Sequence, residues 1–182
     1  MAFSPSLDVA FDGRRLRSGG PADDQGRLSQ FVMAHYELIK DGLMGGTLTT
    51  AWALLDVAGR RPRLEYHGLK KLGGREYHEL RYLAASAGGD MPVLMHFDPL
   101  TFRHVWTECR FSEFEETLPE YVLTEEFGDF AAADGLTLPR TYTVRLDIAY
   151  RQGGVEHIEW TVAVDSVRHN QQIDPGMFER SR

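Results

Sequence analysis

The sequence predicts a single α+β domain of 182 residues that is mostly β, an antiparallel sheet curled around a two-helix hairpin. Three observations carry this. Tyr142, Val144, Leu146, Ile148 and Tyr150 alternate with Thr143, Arg145, Asp147 and Ala149, and Ile158, Trp160, Val162 and Val164 alternate with Glu159, Thr161 and Ala163. That is the two-residue period of strands with one buried face. Asp98-Pro99-Leu100-Thr101 separates the apolar runs 91–97 and 102–106, and a proline at the second turn position presets a tight reversal there. Upstream, Leu28, Phe31, Val32, Tyr36 and Ile39 form one helical stripe, and Leu48, Ala51, Trp52 and Leu55 form another. Helices this apolar need a surface to cover.

Taken in order, residues 7–17 alternate weakly around Asp12-Gly13 and predict a hairpin within 1–18. Asp23 or Asp24 is positioned to cap a helix over 27–40, which Gly42 ends. Leu43-Met44-Gly45-Gly46 is an apolar turn, after which Thr47 opens a second helix that Gly59 ends. Residues 24–58 are thus either a helical hairpin packed permanently on the sheet or a lid over an apolar groove, moving at Met44 and the Gly45-Gly46 joint. Residues 62–178 hold the sheet: strands over 63–67 and 75–83 with a loop at 68–74, the Asp98-Pro99 hairpin, an acidic loop before 120, and turns at Asp134-Gly135 and Gly153-Gly154. A four-residue loop at 98–101 would set Phe97 opposite Phe102 and His96 opposite Arg103.

Composition narrows the function classes. A net charge of −7 spread over short segments offers no basic stripe, so nucleic acid is not an expected partner. No run approaches the roughly 20 apolar residues of a membrane span, and the first residues lack the basic start and apolar stretch of a secretory signal. Read literally, that predicts a cytoplasmic or already processed soluble protein. Cys109 is the lone cysteine and reads as a small half-buried strand residue.

No stretch carries a catalytic signature, so no enzyme activity, cofactor or metal is expected. His67, His78, His96 and His104 fall in four successive strands, but alternation separates His96 from His104, and a metal-dependent hydrolase using them ranks last. Glu65, Glu76, Glu79, Glu113, Glu115 and Glu116 have no spacing that sets one against another, and they read as exposed carboxylates beside Arg75, Arg81 and Arg110. There is no serine-nucleophile motif, and the Gly45-Gly46 and Gly73-Gly74 pairs form no phosphate loop. What remains is an aromatic and methionine set that could line one concave apolar space: Phe31, Tyr36, Met44, Trp52, Tyr82, Met95, Phe97, Trp106, Tyr142 and Trp160.

The order Gly68-x5-Gly74-Arg75, Met95-His-Phe-Asp-Pro-Leu-Thr-Phe102, Asp129-Phe130 leading to Asp134-Gly135-Leu-Thr-Leu-Pro139, then Val167-x2-Asn170-x2-Ile173-Asp174-x3-Phe178, resembles the C-terminal half of outer-membrane lipoprotein-sorting proteins. These belong with the LolA/LolB-like periplasmic lipoprotein carriers, and Val9-Ala-Phe-Asp-Gly13 is similar to a turn of their bacterial members. The resemblance implies an unclosed antiparallel half-barrel with helices in its concave face and a cavity that shields a lipid, a lipoprotein acyl chain or another hydrophobic small molecule. It implies a periplasmic or envelope-associated protein that binds without catalysis. The chain lacks the family's signal peptide, long N-terminal helix and first strands. The expectation is a shortened piece whose exposed N-terminal edge pairs with a second copy or another envelope protein. A protein-binding or sensory envelope module, its helices permanent core, is the alternative reading.

Overall fold

The computed structural model describes residues 8–11, 16–19, 27–49, 51–84, 92–111, 119–172, 174 and 176. The first element is a two-stranded antiparallel sheet, β1 (Asp8–Phe11) with β2 (Leu16–Gly19), separate from the main sheet. The strands fall where the alternation predicts; the Asp12-Gly13 turn lies outside the described residues.

The expected helical hairpin is broken into shorter pieces. Over 27–40 the chain forms α1 (Arg27–Ala34) and α2 (Glu37–Lys40), interrupted by a turn at His35 and Tyr36. In place of a continuous second helix there are 3-10 turns at Gly46–Leu48 and Ala53–Asp56, then the single-turn α3 (Val57–Arg60). The reason is local. Gly45 and Gly46 take positive φ, Thr49 and Trp52 are extended, and the Thr-rich run between them is a poor helix former.

The main sheet has seven strands in sequence order, every neighbour antiparallel: β3 (Arg63–Leu72), β4 (Arg75–Leu83), β5 (Pro92–Phe97), β6 (His104–Phe111), β7 (Glu120–Ala133), β8 (Leu136–Ala149) and β9 (Val155–Ala163). Among the described residues β3 and β9 do not pair, so the sheet is open. The stretch 68–72, expected as loop, continues β3 through a bulge between Tyr66 and Leu69. Gly68 absorbs the irregularity at φ +79°, and Lys70 and Lys71 are charges on an edge strand that discourage pairing with another chain. Asp134-Gly135 is the expected two-residue turn, with both residues at positive φ as a hairpin's twist requires.

The Asp98-Pro99 turn is larger than four residues, which corrects the expected pairing. Asp98 Oδ1 accepts from Leu100 N (3.1 Å), Thr101 N (2.8 Å) and Thr101 Oγ1 (2.8 Å). The chain then needs Phe102 at φ +54° to return, and the Asp98 amide meets the Arg103 carbonyl at 2.9 Å. Phe97 consequently pairs with His104 and His96 with Trp106, leaving Val105 as an extra residue. The bulge leaves His104 on the face that carries Phe97 and turns Trp106 onto the opposite one.

Paired residues of neighbouring strands share a face. One cross-sheet row is Leu80, Met95, Thr107, Glu125, Val144 and Trp160; the next is Tyr82, Val93, Cys109, Leu123, Leu146 and Ile158. Phe31, Val32, Leu38, Leu43 and Ala53 pack into one cluster with these rows. Each large apolar side chain buried there contributes about 1.5–3 kcal/mol. The opposite face is polar, with Arg81–Glu65 (3.0 Å) and Arg145–Glu159 (2.6 Å) ion pairs across it.

Candidate functional site

Beyond Leu43 and Met44, which pack in the core cluster, the chain up to Trp52 forms a closed flap. Its neck is the hydrogen bond from Ala53 N to the Gly42 carbonyl, 2.9 Å. Gly42 sits at φ +67°, and a Cβ there would lie 1.7 Å from the Ala51 carbonyl oxygen, so no other residue fits. Arg60 Nη2 donates to that same oxygen at 3.0 Å. At its tip the flap rests on the sheet: a Cβ on Gly46 would lie 2.7 Å from the Phe127 ring and 2.9 Å from His104 Nδ1.

One buried carboxylate ties this tip down. Glu125 of β7 is 1% exposed, and its Oε1 accepts from Gly45 N at 2.7 Å and from the Tyr142 hydroxyl at 2.5 Å. Its Oε2 has no hydrogen-bond partner among the described residues; the Thr107 hydroxyl favours the charged carboxylate without completing a bond. Burial pushes the Glu125 carboxyl above the ordinary 4.5, outweighing the Gly45 amide and the two hydroxyls, which act to lower it. Burial and the adjacent carboxylate together push the Tyr142 phenol well up, so it remains a donor.

His104 is the second buried group under the flap. Its ring lies 5.5 Å from Trp52, 5.2 Å from Phe97 and 4.8 Å from Phe127, centroid to centroid. Nε2 donates to the Trp106 carbonyl (3.1 Å) and lies 3.0 Å from the Thr107 hydroxyl, whereas Nδ1 is buried with no partner among the described residues. A proton on Nδ1 would be a buried donor without an acceptor, and desolvation holds the His104 pKa down at about 4, against an ordinary 6.5. The folded protein thus resists protonation that the unfolded chain accepts. Stability from this group is full above pH 6.5 and is lost as pH falls through about 4, amounting to roughly 3 kcal/mol. Urea unfolding across that interval is expected to show this acid loss in the wild type and much less of it in His104→Gln; parallel pH profiles would contradict the assignment.

Beside the flap is a cavity of about 450 Å³, within the roughly 300–1,000 Å³ range of small-molecule sites. Leu48, Trp52, Leu55, Leu136, Leu138 and Val167 supply its apolar wall. Thr47, Thr49, Thr137, Arg168 and His169 supply its polar groups. The flap is therefore one wall, the β7–β8 hairpin end a second, and the segment after β9 a third.

Of the ten aromatic and methionine residues expected to line a cavity, Trp52 lines this one. Phe31, Tyr82 and Met95 are solid core, with Met44, Phe97, Tyr142 and Trp160 packed half-buried against it, and Tyr36 is 45% exposed. Trp106 pairs with His96 and Glu126, which puts it on the opposite face of the sheet. The space over Tyr82 and Met95 is thus filled by Phe31, Val32, Leu38 and Leu43, and the open volume lies at the flap end instead.

The strand histidines divide between faces. His78 and His104 share the face of Phe97, while on the other side His67 Nδ1 and His96 Nε2 meet Glu79 at 3.0 and 3.1 Å. Among the described residues no group of three or more side chains is arranged to hold a metal ion. Cys109 is fully buried in the core row, more deeply than its sequence context suggested, and burial pushes its thiol well up. No described helix is long and apolar enough to cross a membrane.

Sequence reasoning missed Glu125, although it left a trace. On β7, Tyr121, Leu123, Glu125 and Phe127 occupy one alternating face, so a carboxylate interrupts an apolar row. The cavity residues after β9 left none, because 164–172 form no strand or helix.

No protein-family model matches the chain, and no curated protein or solved structure matches it.

Proposed function

We propose that the chain is a non-catalytic envelope protein, built like a LolA/LolB-type half-barrel, that binds a lipid, an acyl chain or another hydrophobic molecule beside the flap. The observation that carries this reading is the 450 Å³ cavity between Trp52 and Leu138, walled by six apolar side chains. Binding works by removing apolar surface from water, about 0.8 kcal/mol for each methylene buried. Release works by lifting the flap beyond Met44, a movement that breaks the Gly45–Glu125 bond and leaves the packing of α1 and Leu43 in place. The lid is thus much smaller than the whole segment 24–58.

The test is titration with the neutral apolar dye N-phenylnaphthylamine. The wild type is expected to show saturable enhancement of dye fluorescence. Leu136→Trp, which enlarges a half-exposed residue of the cavity wall, is expected to weaken it at least fivefold. Absence of saturable binding, or equal binding by the variant, contradicts the proposal.

The solid packing of Phe31, Val32 and Leu38 favours a second reading in one respect, since it makes α1 and α2 permanent core, as a protein-binding or sensory module would have. Native mass spectrometry of protein taken from cells separates the two. Co-purified lipid supports the first, and a lipid-free oligomer supports the second.

A further inference from the structure

The polar groups around the cavity are of one electrostatic kind. The chain carries 27 acidic residues against 20 Lys and Arg, yet among the described residues no carboxylate lines this cavity. Its charged and titratable lining is Arg168 and His169. Asp134 and Asp165 belong to a neighbouring recess of about 290 Å³, which shares Leu138 and Val167 with the cavity. Arg168 is exposed and has no ion-pair partner among the described residues, where Arg63, Arg81, Arg110 and Arg145 are all paired with glutamates. His169 Nε2 and Trp52 Nε1, both on residues of the cavity wall, are buried without hydrogen-bond partners among the described residues. The wall therefore offers a guanidinium and three hydroxyls beside an apolar body, and among the described residues no fixed negative charge.

From this complementarity we infer that the ligand is an anionic amphiphile, a long-chain carboxylate or a lipid of equivalent chemistry, whose chain lies against Leu48, Trp52 and Leu138 and whose head group pairs with Arg168. The inference rests on the binding function proposed above and adds the charge of the head group. A guanidinium takes a carboxylate through two parallel N–H···O bonds, and charge-assisted bonds of this kind are roughly twice as strong as neutral ones. A neutral head group would leave that strength unused. The negative net charge of −7 opposes the approach of any anion, so the preference must come from the site itself.

The experiment compares two ligands of equal chain length, palmitate and hexadecanol, both below their aggregation limits, as competitors of the dye on the full chain. The wild type is expected to bind palmitate at least tenfold more tightly than hexadecanol. Arg168→Glu is expected to abolish that preference, bringing the ratio of the two affinities to about one, and Arg168→Lys to retain part of it. Because Arg168 is exposed, neither substitution threatens the fold. Equal binding of the two ligands by the wild type, or a preference that survives Arg168→Glu, overturns the anionic head group and leaves the apolar site standing. Failure of both ligands to displace the dye overturns the inference together with the binding proposal.

Discussion

Gly42→Ala is expected to lose about 3 kcal/mol of stability or more, the largest effect of a methyl group added at any of the described glycines. The added Cβ would sit 1.7 Å from the Ala51 carbonyl oxygen and 2.6 Å from its carbon, both backbone atoms that no side-chain rotation can move aside. Positive φ adds roughly 1–2 kcal/mol for any residue with a Cβ. The chain relieves the overlap by opening the neck at Gly42 and Ala53, so the flap and the cavity wall are lost together. Gly128→Ala is the control: its Cβ would meet nothing within 4 Å, and urea unfolding is expected to change by well under 1 kcal/mol. Similar losses in both variants would show that the neck is not as tight as described.

Glu125→Ala is expected to cost roughly 2–4 kcal/mol, because it strands the Gly45 amide and the Tyr142 hydroxyl in a buried site and leaves a void. Glu125→Gln separates charge from hydrogen bonding. The amide keeps an acceptor at the Oε1 position, so at low pH, where the wild-type carboxyl is neutral, the two proteins should differ by less than about 1 kcal/mol. As pH rises they diverge. The wild-type folded carboxyl titrates above the ordinary 4.5, so its contribution is full below 4.5 and declines as pH rises through the elevated folded-state value. Glutamine carries no such term, and the stability of Glu125→Gln relative to wild type is expected to climb over that interval. A flat difference across pH would mean that desolvation of Glu125 is not the dominant influence. In ligand titrations Glu125→Ala should also raise the off-rate, since the flap loses its anchor on the sheet.

The sheet was readable because its signals are local and redundant. Strands β7 to β9 alternate over long runs and end in glycine turns whose φ values only such sequences adopt easily, so their pairing follows from the period. The Asp98-Pro99 turn was readable in position and misjudged in size. The side chain of Asp98 organises three donors, Phe102 is drawn into a left-handed conformation, and a one-residue bulge at Val105 then reverses the facing of Trp106. A bulge moves a side chain across the sheet without altering hydrophobic content, which is why alternation alone kept Trp106 on the face of Phe97.

The segment 43–60 shows the opposite limit. Leu48, Ala51, Trp52 and Leu55 fit a helical stripe, but glycines at positive φ and β-branched threonines favour a flap closed by long-range bonds to Ala53 and Glu125. Glu125, which anchors the tip, is 80 residues from Gly45 and outside any local window. For the same reason the aromatic set pointed to the concave face in general and not to its flap end. Phe31, Tyr82 and Met95 have the composition of a pocket lining and the packing of a core. The residues that leave space are leucines and a valine from three separated segments.

The most direct measurement of the central claim uses Trp52, the tryptophan on the cavity wall. In a Trp106→Phe, Trp160→Phe variant its emission is isolated, and N-phenylnaphthylamine bound in the cavity would lie within range to quench it by energy transfer. A ligand site beside the flap predicts saturable quenching of Trp52 that palmitate reverses. Dye binding that leaves Trp52 emission unchanged would place the ligand elsewhere and contradict the flap-roofed site.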